Sequence, residues 1–203
     1  IGMSVHICES SIFGTSWRTA EVRQMFEETT RVEDWLMILS VLAQTQADYE
    51  LIPREAAEQI QEACSRIAVD KEFLAEVESG FVASNHSLIG FIRAVQNRCG
   101  KLGGEWLCYG ATVQDVTDTQ LMCTLAKLQK HLINELELLK EVLIGMAVRY
   151  RGVYMLGRTH GQVGLPITFG YKAACWLDEI NRHLERLAEV GNRISVGQLC
   201  GGV

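Results

Sequence analysis

Proline is nearly absent from this sequence: Pro53 and Pro166 are the only two in 203 residues. Because proline inside a helix costs about 3 kcal/mol, stretches this free of it favour long helices. No apolar run approaches the ~20 residues that a membrane span needs, so a membrane is not expected as a partner. The first residues show no basic segment followed by an apolar core, so no secretion signal is expected either. Positive charge is in deficit, with 19 Lys and Arg against 25 Asp and Glu, a net charge of -6. Without a basic stripe, nucleic acid is not an expected partner. The seven cysteines form no CxxC pair and no metal-ligand spacing. Such a dispersed, odd-numbered set reads as reduced thiols of a cytoplasmic protein, with neither a disulfide framework nor a metal site. There is no repeat of 20 to 50 residues and no low-complexity segment.

The chain does hold helical periodicity. Residues 19–49 place Val22, Met25, Phe26, Val32, Trp35, Leu36, Leu39, Leu42 and Ala43 at helical spacing, with a break near Pro53. A second helix is expected from about Pro53-Arg54-Glu55, and a third over His86–Cys99 ending at Gly100. Leu121, Leu125, Leu128, Leu132, Leu136, Leu139, Leu143 and Met146 then follow in steps of four and three. This is the seam of a bundle helix, roughly 45 Å long. After an expected loop at 151–166 the pattern resumes at Phe169, Ala173, Trp176, Ile180, Leu184, Leu187 and Ile194. Two such helices cannot bury their stripes alone, so partner helices from further sequence or other subunits are expected. The fold class is therefore all-α: a small N-terminal helical domain over residues 1–111, then the first long helices of a central bundle over 112–203. The chain stops with an uncovered stripe, as part of a longer subunit would.

Two segments have the make-up of chemistry. Gly110-Ala111-Thr112-Val113-Gln114-Asp115 precedes the leucine seam. A glycine turn at a helix start offers backbone N–H groups and a positive dipole end, an anion site to which Thr112 and Gln114 can add donors. Capping of the helix by Thr112 and Asp115 explains the same residues. Gly157-Arg158-Thr159-His160-Gly161-Gln162 places a histidine between glycines, where backbone rather than packing positions it. An imidazole suits proton transfer at neutral pH, and Arg158 can hold an anion or pair with a carboxylate. His86 follows Ser84-Asn85, which can cap the helix expected there; His6, His131 and His183 read as terminal or solvated residues.

Taken together, the 110–119 segment, 157–162, and Pro166-Ile167-Thr168-Phe169-Gly170-Tyr171-Lys172 resemble the first two signature regions of the fumarase/aspartase superfamily, in its adenylosuccinate lyase and 3-carboxymuconate cycloisomerase branch. Trp35-Leu36, Gln46-Ala47-Asp48 and Leu51-Ile52-Pro53 are similar to that branch's N-terminal domain. The resemblance implies a homotetramer whose sites are built from three subunits. The implied reaction is a trans elimination releasing fumarate from a succinyl-amine, as an adenylosuccinate lyase of purine biosynthesis performs it. It implies His160 as general acid, Thr159 and Gln162 as substrate contacts, Thr112 and Gln114 as holders of the succinyl carboxylates, and His86 as support on the leaving-group side. The implied base, a serine on a glycine- and serine-rich loop, would lie downstream of these residues, so the 203-residue chain alone is expected to be inactive. No metal or organic cofactor is implied, since helix ends and hydroxyls can stabilise the carbanion.

Several positions depart from the pattern. Cys108 stands where many relatives have histidine, and Val113 replaces a serine or threonine. Ile12-Phe13 stand where adenylosuccinate lyases often have Arg-Tyr, and Ser87 where they often have aspartate. Losing a hydrogen bond to a charged group costs roughly 1.5–3 kcal/mol, enough to redirect substrate preference. A non-nucleotide succinyl adduct, a tricarboxylate closed to a lactone by a cycloisomerase, and a catalytically silent helical assembly protein remain as alternatives.

Overall fold

A computed structural model describes residues 7–10 and 12–201 of the chain. His6 and the terminal Gly202-Val203 lie outside the described residues. Eight α-helices and one hairpin account for the architecture among those residues: α1 (Ala20–Met25), α2 (Glu28–Asp48), α3 (Arg54–Arg66), α4 (Lys71–Ser84), α5 (Ile89–Gln96), α6 (Lys101–Trp106), α7 (Val113–Arg149), β1 (Tyr154–Thr159), β2 (Gln162–Thr168) and α8 (Phe169–Ile194). The chain forms two compact units, Ile1–Thr124 with Val196–Val203, and Leu125–Ser195.

In the first unit the apolar residues of α2 at 32, 36, 39, 43 and 47 fall on one face and are buried. Against them lie Ala57 and Ile60 of α3, Phe73 of α4, and Phe91, Ala94 and Val95 of α5. Phe91 is fully buried. Its ring centroid lies 5.3 Å from that of Trp35 and 6.4 Å from that of Phe73. The α4–α5 approach is set by two glycines: a Cβ on Gly80 would lie 2.5 Å from the Gly90 Cα, and one on Gly90 would lie 2.8 Å from the Phe81 nitrogen. No other residue allows that closeness without backbone movement.

Four local expectations are corrected. The 19–49 helix is two, because the Phe26 N–H turns back to the Arg23 and Gln24 carbonyls and Glu27 is extended (ψ 148°). The helix expected from His86 begins only at Ile89, and a separate α4 precedes it, started by Asp70, whose side chain accepts the Phe73 N–H. Asn85 ends α4 in the left-handed region (φ 50°) rather than capping a new helix. Gly100 starts α6 rather than stopping α5, which closes at Asn97.

The second unit holds the seam from Leu125 onward. α7 runs 37 residues, roughly 55 Å. The expected loop at 151–166 is instead mostly an antiparallel hairpin, β1 paired with β2 from Tyr154↔Thr168 to Thr159↔Gln162. Its register shifts between Leu156 and Arg158, where a Cβ on Gly157 would meet the Leu165 carbonyl oxygen at 2.5 Å. Thr168 then caps α8, accepting the Tyr171 N–H. Of the seam, Leu143 is buried, while Leu121, Leu132 and Leu139 remain exposed, with Leu138, Val142 and Val148 exposed on other faces of α7. Trp176 and Val190 of α8 are exposed too. A helix apolar on several faces is fitted to the interior of a larger bundle. No helix among the described residues is long and apolar enough to cross a membrane.

Candidate functional site

In the first unit, the chain reaches α7 through a strained turn. Cys108 and Gly110 both occupy the left-handed region, at φ 62° and 66°. For a non-glycine residue this costs roughly 1–2 kcal/mol, and it is held from outside. The buried Gln46 of α2 donates its amide to the Tyr109 carbonyl at 2.7 Å. Thr112 follows on the surface, just before the first residue of α7. Its N–H is not free, as the anion-site reading supposed, but donates to Asp115 Oδ2 at 2.9 Å. The Gln114 amide donates to both Asp118 oxygens at 3.0 and 3.2 Å, so the Asp118 carboxylate competes with any anion for that donor. The Thr112 hydroxyl has no hydrogen-bond partner among the described residues.

Asp115 is 3% exposed, and its carboxylate also takes the N–H groups of Cys200 and Gly201, each at 3.0 Å. The Thr112 N–H first, then those of Cys200 and Gly201 with the Gln198 side chain, holds its pKa below the usual carboxylate value despite burial. A carboxylate with a depressed folded pKa contributes stability that is fully present above its unfolded pKa of about 4. That contribution is lost as pH falls through the lower folded value. Unfolding of wild type and Asp115→Asn should therefore differ above pH ~4, wild type being the more stable, and the difference should shrink as pH falls from there through the folded value, as urea titrations across pH would read. Burial, with the Asp115 charge adding to it, raises the Cys108 thiol, so it is no thiolate nucleophile at neutral pH.

Beside this turn lies a cavity of about 360 Å³ lined by Leu88, Ile92, Arg93, Cys108, Thr112 and Val113 among others. One cation, one exposed hydroxyl donor and an apolar wall are what a small anion with an uncharged substituent would meet. His86 lies in the turn between α4 and α5, where its Nδ1 is 3.5 Å from the Leu88 N–H. It is thus not in the first turn of a helix.

In the second unit, Thr159 and Gln162 close the hairpin, with His160 and Gly161 as its two-residue loop. Both loop residues have positive φ, 48° and 76°, as a type I′ turn requires. All four are exposed, and the Arg158 guanidinium reaches the Gly161 carbonyl at 3.5 Å. The hairpin thus brings Thr159, His160 and Gln162 to one tip, with the imidazole placed by backbone geometry. Beneath, a cavity of about 330 Å³ is lined by Arg158, Tyr171, Lys172, Cys175 and Trp176 among others. Lys172 Nζ stands 5.2 Å from the Trp176 ring centroid. The second cation of this cleft was visible in sequence only as part of a resemblance, since spacing does not reveal that Arg158 and Lys172 share a wall. His131 is half-buried on α7, and His183 is exposed beside Glu179 and Arg186 on α8. Among the described residues, no cluster of three His, Cys, Asp or Glu is arranged to hold a metal ion.

A family model described as Lyase matches residues 11–203. The N-acetyl-S-(2-succino)cysteine lyase of Enterococcus italicus is 36% identical over 99% of this chain and 43% of its own length. The adenylosuccinate lyase of Methanocaldococcus jannaschii is 36% identical over 91% of this chain and 39% of its own. Among solved structures, the β-carboxy-cis,cis-muconate cycloisomerase of Acinetobacter calcoaceticus superposes with a TM-score of 0.89 at 28% identity, over 95% of this chain and 45% of that one. The chain therefore spans less than half the length of these relatives.

Proposed function

Because the chain belongs to the lyase family of the fumarase/aspartase superfamily, we propose that the intact protein releases fumarate from a succinyl-amine by trans elimination. The observation that supports this most is the hairpin tip, which holds the exposed His160 imidazole between Thr159 and Gln162 in a backbone-dictated turn. In the proposed reaction a base removes a proton from the carbon next to the one that bears the leaving nitrogen. The C–H pair becomes the new C=C bond, the C–N bond breaks, and His160 gives its proton to the departing nitrogen. Thr112 and Gln114 hold the succinyl carboxylates, Gln114 by exchanging its bond to Asp118. Thr159 and Gln162 contact the substrate, and His86 supports the leaving group. The base comes from sequence beyond these residues, so residues 1–203 alone are inactive.

In this reading residues 1–111 form the N-terminal domain and 112–203 open the central bundle. The exposed apolar faces of α7 and α8 are covered in a homotetramer, the protein resides in the cytoplasm, and no cofactor takes part. A second reading keeps the succinyl half and changes the leaving atom to sulfur. It is favoured by the likeness to a succinocysteine lyase over nearly the whole chain and by Val113, Ile12-Phe13 and Ser87, which fit a nucleotide poorly.

The test is to offer the intact protein adenylosuccinate, a small N-succinyl amine, a small S-succinyl thiol and 3-carboxymuconate, following ultraviolet absorbance. Fumarate from a succinyl-amine is expected. Fumarate from the thioether alone favours the second reading. A lactone from the muconate, with no fumarate from any adduct, makes the protein a cycloisomerase, and inertness toward all four overturns the proposed reaction.

A further inference from the structure

We propose that Asp115 is a positioning residue: it fixes Thr112 for the substrate carboxylate by fastening residues 197–201 across the start of α7. The inference rests on the carboxylate-holding role proposed for Thr112. A helix cap would need only the Thr112 N–H. Asp115 takes that and two more, from Cys200 and Gly201, 85 and 86 positions away in the chain. The Cys200 thiol adds a weak contact, its Sγ 3.8 Å from Oδ1. One turn further on, the Thr119 hydroxyl accepts the Gln198 N–H at 3.0 Å and faces the Gln198 carbonyl at 3.4 Å. Asp115 and Thr119 stand four apart, on one face of α7, so the segment is held at two points along the helix. Gly201 is essential to the approach, since a Cβ there would lie 2.6 Å from Thr112 Cβ and 2.7 Å from Asp115 Oδ2.

The electrostatics serve the same end. A carboxylate so near an anion-holding threonine would repel a dicarboxylate if its own charge were unmet. Three backbone donors meet it, as a buried charge requires. They also consume the Thr112 N–H and leave its exposed hydroxyl as the donor presented to a ligand.

The experiment measures the Kd of fumarate by calorimetry on intact wild type, Thr112→Ala, Asp115→Asn and the double variant, with Tm alongside. Each single change should weaken binding roughly tenfold or more, and the double should be no weaker than Thr112→Ala alone. If Thr112→Ala weakens binding but Asp115→Asn lowers only Tm, or the two effects add, Asp115 is structural and the inference is overturned while the Thr112 role stands. If Thr112→Ala leaves the Kd unchanged, the Thr112 assignment falls and the inference with it. Should Asp115→Asn fail to fold, Gly201→Ala disturbs the same fastening and is read by the same criteria.

Discussion

His160→Asn in the intact protein is expected to lower kcat by roughly 10²–10⁴-fold while leaving the hairpin folded. The magnitude is that of removing a general acid that protonates the leaving group. Asparagine is the chosen replacement because His160 sits at φ 48° ahead of Gly161, and Asn-Gly is the strongest two-residue loop of this type. The turn, its Thr159↔Gln162 closure and the register behind it should persist. Alanine at the same φ would mix loss of the imidazole with strain in the loop. Steady-state kinetics with circular dichroism and Tm separate the two effects. A kcat within twofold of wild type would remove His160 from the chemistry.

Phe91→Ala should cost about 3–5 kcal/mol of stability, the range for emptying a buried aromatic site. The ring is fully buried and touches its neighbours as aromatic pairs, Trp35 at 5.3 Å and Phe73 at 6.4 Å between centroids. The site has little freedom to collapse, because the Gly80–Gly90 contact already holds α4 and α5 at backbone distance. Urea unfolding should show a lower midpoint with an unchanged slope. A loss below 1 kcal/mol would mean that the core relaxes around the cavity.

Much of the fold was legible in the sequence, and where it was not the cause is local. The steps of four and three from Leu121 to Met146 correspond to α7 because that periodicity has one structural solution at such length. Residues 154–168 were harder. Their two apolar runs are short, and His-Gly at the turn is a weaker signal than Asn-Gly, so only pairing across the chain reveals the hairpin. Helix α4 had a readable start in Asp70, whose carboxylate caps Phe73. Gly100 was ambiguous in principle, since glycine ends helices and can also begin them.

The site divides in the same way. Thr159, His160 and Gln162 are neighbours in sequence and meet at one tip, so the segment alone suggests them. That Asp118 engages Gln114 follows from their spacing of four on α7, whereas Cys200 and Gly201 reaching Asp115 is a tertiary fact to which no spacing points. Cys108 illustrates a third case. Its identity flags a departure from relatives, but its left-handed backbone and raised thiol pKa come only from the surrounding fold.

The claim that this protein releases fumarate by trans elimination is tested most directly by running the reaction backwards in D₂O. Intact protein, fumarate and an amine (or, for the second reading, a thiol) are incubated, and the succinyl adduct is examined by proton NMR. The expected product carries one deuteron, on the methylene carbon and on the face opposite the entering nucleophile, as a single diastereomer. Deuterium distributed over both faces, or no adduct from either nucleophile, would contradict it.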